Sequence, residues 1–185
     1  MNSRFLCRNT GISGAAIVDR RPIGDERGYL ERLFCAQDLQ ILTQGKEIVQ
    51  INHSYTRHRG TVRGLHYQYA PFLEAKFVSC IYGEVYDIAV DVRADSPTFL
   101  QWHAERLSSD NHRTFFIPEG CAHGFQTLTG DCQLIYMHTA YYSPDFEGGL
   151  HPQDPVLAIP WPLPLTDISV RDASHPFIED GFKGL

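Results

Sequence analysis

Residues 76–92 read KFVSCIYGEVYDIAVDV. Two runs rich in β-branched and aromatic residues are broken by the single Gly83. In the second run Tyr86, Ile88, Val90 and Val92 share one face, and Asp87, Asp91 and Arg93 share the other. Alternation of this kind marks a half-buried strand, because successive side chains of an extended chain point to opposite sides. The stretch predicts strands over Lys76–Tyr82 and Glu84–Val92, with Gly83 as a hairpin turn.

The same pattern continues on either side. Further strands are predicted at Ala15–Arg20, Tyr29–Phe34, Ile48–Tyr55, Gly60–Gln68, Gln101–Leu107, Thr114–Ile117, His123–Leu128 and Cys132–Ala140. Gly130-Asp131 reads as a second hairpin turn. Short strands about ten residues apart, with turn residues between them, predict an all-β sandwich or barrel. Helix signals are thin: two turns at Ala36–Thr43, the start of a short turn at Ser108-Ser109-Asp110-Asn111, and a short terminal helix near Ser169–Asp172. From about residue 160 the chain becomes an irregular, proline-containing tail. It has no Gly/Ser-rich stretch, so it is expected to pack over the domain and not to act as a linker.

Composition bounds the function. The chain has 185 residues, 43% hydrophobic, 12% aromatic and 21% charged. That predicts a single domain over 1–185, and a chain of this size can bury about 70% of its unfolded surface. The net charge is -6, and no run of basic residues is longer than Arg20–Arg21. Nucleic-acid binders present a basic stripe, so no nucleic-acid partner is expected. No apolar run is long enough to span a membrane, and the first residues lack the apolar core of a secretory signal. The five cysteines form no CxxC pair. They read as buried, reduced thiols of a cytoplasmic protein.

Several motifs can carry chemistry. Arg63-Gly64-Leu65-His66-Tyr67-Gln68 sets a cation and an imidazole three residues apart. Strict alternation would send Arg63 and His66 to opposite faces. A bulge at Gly64 would bring both to one side, making a binding arginine beside a catalytic histidine. The plain alternative is a surface arginine and a hydrogen-bonded strand histidine. Pro118-Glu119-Gly120-Cys121-Ala122-His123 places another histidine just past a tight turn. Leu134, Tyr136 and His138 share a face, which points Tyr136 into the barrel as either a core residue or a proton donor. Tyr141-Tyr142 follow, where an exposed aromatic could stack on a flat ring, and Arg27, Lys76 and Arg171 are scattered cations next to apolar or turn segments.

The Pro118–His123 run has the form of the second metal motif of cupin barrels. The first motif is incomplete, because Gln68 stands where a paired histidine would be. Two histidines make a poor site for an ion that wants three or four matched ligands, so no metal is expected.

Taken together, the blocks resemble the dTDP-4-dehydrorhamnose 3,5-epimerases. They are GDERG (24–28), QIN (50–52), RGLHYQ (63–68), GEVYDIAVDVR (83–93), SPTF (96–99), IPEGCAHGF (117–125), YYSPDFE (141–147), DP (154–155), IPWP (159–162) and VRD (170–172). The resemblance implies a cupin-like jelly roll with few short helices. It also implies an epimerase of a nucleoside-diphosphate 4-keto-6-deoxyhexose, working without a cofactor. By the same resemblance His66 is the base, Tyr136 the acid, Asp172 the partner of His66, and Lys76 the cation beside the enolate oxygen. Arg27, Gln50, Asn52, Arg63, His123, Tyr142, Glu147 and Arg171 match substrate-binding positions, and a homodimer is implied. Two positions depart from the pattern. Glu31 lies one residue before the family's usual glutamate and is not carried over, and Met137 stands where many members have a basic residue. Epimerisation at one carbon only, another nucleotide, a 3,4-ketoisomerase, a silent sugar-nucleotide-binding cupin and a metal-dependent oxygenase are the competing readings. The first two are what the departures leave open.

Overall fold

The computed structural model describes residues 4–185, so the first three residues of the expected domain lie outside the described residues. The strands in chain order are β1 (Phe5–Asn9), β2 (Ala16–Arg20), β3 (Ile23–Asp25), β4 (Gly28–Leu30), β5 (Gln50–Thr56), β6 (Thr61–Gln68) and β7 (Lys76–Tyr82). They continue as β8 (Glu84–Asp91), β9 (Trp102–Ser108), β10 (Arg113–Ile117), β11 (Cys121–Thr127), β12 (Cys132–His138), β13 (Glu147–Gly149) and β14 (Asp167–Ile168). The helices are α1 (Ala36–Thr43) and α2 (Val170–Ala173). One sheet runs β1-β2-β10-β7-β12-β5, and the facing sheet runs β13-β6-β11-β8-β9 with β14 beside β6. Two facing sheets, antiparallel except for the β14–β6 pair, form with this crossing order the expected cupin-like jelly roll.

Alternation along the strands sorts the apolar residues into three layers. Val78, Cys80, Val85, Ala89, Phe115, Phe125 and Leu134 meet between the sheets. Ile88, Val90 and Val92 point the other way, where Leu150, Leu157, Ile159 and the tail residues Trp161, Ile178 and Phe182 cover them. On the outer face of the first sheet, Leu39 of α1 covers Phe77, Phe116 and Met137. Each fully buried Leu, Ile or Phe contributes roughly 1.5–3 kcal/mol of transfer free energy. The tail is thus part of the fold. The polar face of β8 turns inward, and its Asp87 is wholly buried.

Gly83 and Gly130-Asp131 are not hairpin turns. β7 and β8 lie in different sheets, as do β11 and β12, so both turns carry the chain from one sheet to the other. A Cβ at Gly83 would lie 2.6 Å from Thr129 Oγ1 and 2.9 Å from Cys132 Sγ, so the crossing leaves no room for a side chain. The strand expected over Tyr29–Phe34 shrinks to β4, which pairs only with β3 in an exposed hairpin. Cys80, Cys121 and Cys132 are buried as expected, whereas Cys7 is exposed. No helix of the described residues is long and apolar enough to cross a membrane.

Candidate active site

A cavity of about 560 Å³ opens between β5, β6, β7, β11 and β12. Its lining includes Asn52, Arg63, His66, Lys76, His123, Tyr136, Tyr142, Glu147 and Arg171.

Arg63 and His66 share this cavity because β6 is bulged. His66 lies opposite His123, and Arg63 lies opposite Phe125, so three steps on β6 match two on β11. Gly64 sits at this irregularity with φ +118. A Cβ there would lie 2.5 Å from Gly124 Cα, so the close approach of the two strands requires glycine.

The short helix α2 brings Asp172 behind His66. Ser169 caps the helix by accepting from Asp172 N at 3.0 Å. Asp172 Oδ1 lies 2.8 Å from His66 Nε2, and Oδ2 accepts from Gly64 N at 3.2 Å. The residue is only 3% exposed. Burial pushes its carboxyl up, but His66, Gly64 N and Ser169 outweigh burial and hold it at about 2. The neighbouring Arg171 contacts the same histidine nitrogen at 3.0 Å and donates to Glu147 at 2.9 Å. Tyr142 donates to the same glutamate oxygen at 3.0 Å.

Tyr136 enters from β12, with its hydroxyl 3.1 Å from Ser54 Oγ and its ring edge-on to His123. Burial raises its pKa, an effect the Ser54 hydrogen bond only partly offsets. The phenol therefore stays protonated, as a proton donor must. His123 Nε2 is held by both oxygens of Asp87, at 3.1 and 3.0 Å. Burial raises the Asp87 carboxyl while His123 pulls it down. Lys76 pairs with Glu74 at 3.0 Å.

Gln50 sits at the rim, donating to Asn52 and accepting from Tyr142 N. Of the expected site residues, Gln50 and Asp172 are not in the lining but are hydrogen-bonded to residues that are, whereas Arg27 lies away from both. It lies on the exposed β3–β4 hairpin and pairs with Asp25 at 2.6 Å. Glu31 is bound to Arg20 and His112, well outside the cavity lining. Four residues escaped the sequence reading: Ser54, Glu74, Asp87 and His138. Asp87 left one signal, an acid alternating with apolar residues in a strand whose inner face is buried. His175 also approaches, its ring 5.7 Å from that of His66. Ligand atoms of His66, Asp172 and His175 lie within 4.8 Å of one another. The Arg171 guanidinium beside His66 would oppose a metal ion there.

The sequence model of one family, described as dTDP-4-dehydrorhamnose 3,5-epimerase, matches residues 9–180. The chain is 40% identical to the dTDP-4-dehydrorhamnose 3,5-epimerase of Salmonella typhimurium over 172 residues, 92% of this chain and 93% of that one. It is 35% identical to the dTDP-4-dehydrorhamnose 3-epimerase of Streptomyces niveus over 166 residues, 89% of this chain and 80% of that one. Its fold matches a solved 3,5-epimerase of Legionella pneumophila in complex with dTDP-4-keto-L-rhamnose. That match has a TM-score of 0.89 at 40% identity and covers 94% of this chain and 92% of that one.

Proposed function

The chain belongs to the dTDP-4-dehydrorhamnose 3,5-epimerase family, and from that premise we propose how its residues divide the work. It is an isomerase, an epimerase of a nucleoside-diphosphate 4-keto-6-deoxyhexose. The observation that carries the assignment of roles is that His66, backed by Asp172, faces the same cavity as the partly buried Tyr136.

The 4-keto group acidifies the protons on C3 and C5. His66 removes one, an enolate forms, and Tyr136 returns a proton from the opposite face. Asp172 fixes the base: when Nε2–H donates to its carboxylate, the lone pair is on Nδ1. A single ring nitrogen cannot also accept from Arg171. Diphosphate oxygens compete for that guanidinium, and their binding releases Nε2 to Asp172. Lys76 places a fixed cation beside the developing enolate oxygen, where it acts most strongly in the transition state. Arg63 and Arg171 hold the diphosphate, Tyr142 stacks on the base, and Gln50, Asn52, His123 and Glu147 complete the contacts. In a homodimer the exposed β3–β4 hairpin delivers Arg27 to the cavity of a second copy. The unpaired cysteines fit a reducing compartment, and we place the enzyme in the cytoplasm on that ground.

Incubation with dTDP-4-keto-6-deoxyglucose in deuterated water tests the reading. Deuterium is expected at C3 and C5, and the His66→Ala variant is expected to incorporate none. Label at C3 alone would reduce the enzyme to the activity named for the Streptomyces niveus relative. No label would remove this substrate, and full exchange by His66→Ala would sink the base assignment.

A further inference from the structure

Glu74 is a carboxylate inside the sugar cavity that the epimerisation scheme leaves unused. Its side chain is 10% exposed and that of Lys76 is 8% exposed. Each carboxylate oxygen has its own partner. Oε1 lies 3.0 Å from Lys76 Nζ, and Oε2 lies 2.7 Å from His138 Nδ1. Lys76 and His138 are directly opposed on β7 and β12, so their side chains leave the sheet on the same side. Glu74, just before β7, reaches across to bridge them.

The hydrogen-bond directions along this group are determined. Gln50 Nε2 donates to Asn52 Oδ1 at 3.2 Å, which orients the Asn52 amide. Asn52 Nδ2 then lies 3.3 Å from His138 Nε2 and donates to it. The imidazole proton is therefore on Nδ1 and is donated to Glu74. Burial pushes the Glu74 carboxyl up, but His138 and Lys76 more than reverse this and keep it ionised. With both oxygens committed, Glu74 is not a free acid or base. What remains to it is the ammonium. Lysine is a point charge on a flexible stem, and a buried charge without a partner is costly. One N–H of Lys76 is pinned by the carboxylate, and the others stay available to a ligand.

We propose that Glu74 is a positioning residue: braced by His138, it aims the Lys76 ammonium at the substrate ketone oxygen without touching the substrate itself. This rests on the role given to Lys76 above. A group that aims a transition-state contact acts on kcat and leaves ground-state binding nearly untouched.

A double-mutant cycle tests it, with turnover of dTDP-4-keto-6-deoxyglucose and deuterium uptake as readouts. Lys76→Met is expected to lower kcat about 100- to 1,000-fold, the usual loss of an oxyanion contact. Glu74→Gln is expected to lower kcat about 10- to 100-fold, as misplacement by about 1 Å does, with KM within about twofold. In the Lys76→Met background, Glu74→Gln should cost nothing further. Glu74→Asp should recover part of the loss. If Glu74→Gln melts far below the parent, His138→Phe, which removes the brace, enters the same cycle. Additive losses, a loss confined to KM, or an unchanged kcat would each overturn the proposal. Such a result with wild-type exchange intact refutes Glu74 alone. A wild-type enzyme with no exchange refutes the epimerase assignment, and this inference falls with it.

Discussion

Asp172 keeps a negative charge under nearly complete burial, and its environment sets a pH dependence. Its carboxyl is lowered from the ordinary 3.8 to about 2. The folded state thus binds its proton less readily than the unfolded chain does. The stabilisation is fully present above pH 3.8 and is lost as the pH falls through about 2. It amounts to about 2 kcal/mol. Asp172→Asn should flatten this acid limb in denaturation followed from pH 5 to 2, and an unchanged limb would contradict it. At Tyr136 a different outcome is expected. Tyr136→Phe leaves the base in place, so solvent deuterium still enters while inversion falls about 100- to 10,000-fold, as loss of a general acid does. Nuclear magnetic resonance of the product separates the two, and parallel loss of both would count against Tyr136 as the acid. As candidates, His66 and Asp172 were legible from the blocks RGLHYQ and VRD, and Tyr136 from the face it shares with Leu134 and His138. Glu74, Ser54 and Asp87 were not. Ser54 and Tyr136 are 82 positions apart, Asp87 and His123 36, and Glu74 and His138 64.

Among the elements, β6 decides the most. Its extra residue turns Arg63 and His66 to one side, and Gly64 makes room for it against Gly124. Gly64→Ala should destabilise the fold by about 1–3 kcal/mol from backbone strain alone, with the clash adding to it. Calorimetry should show the lower melting temperature, and an unchanged value would remove the steric argument. The glycine in RGLHYQ pointed to a bulge before the partner strand was known. Gly83 and Gly130 show the opposite case. A glycine between two strands looks the same whether the chain reverses within a sheet or crosses to the facing one. Only the strand pairing distinguishes them. Helix α2 was anticipated near Ser169–Asp172, but its position behind β6 depends on how the whole tail is laid down.

The whole molecule closes its site with the C-terminal end of the chain. The tail covers the outer face of the second sheet, sets Asp172 behind His66 and returns Arg171 to the cavity. Arg27 remains outside it. Sedimentation should therefore show a homodimer. Mixing Arg27→Ala with His66→Ala chains should restore activity that neither variant has alone, since a mixed dimer contains one complete cavity. A fully inactive mixture would show that Arg27 does not act across the dimer, and full activity of Arg27→Ala alone would place it outside the site.

The sequence alone determined the β architecture, through alternation, and the chemistry, through ordered blocks of His, Tyr, Asp and Arg. Both are local properties, carried by residues a few positions apart. It also showed that a chain of net charge -6 could still hold local cations for a small anionic ligand. Tertiary structure alone decided which face of β8 is inward, which turns change sheets, and which buried carboxylate holds which imidazole. Those outcomes follow from pairing and desolvation between groups far apart in the chain. A buried charge selects its partner by proximity in the folded state, and sequence spacing does not record that proximity.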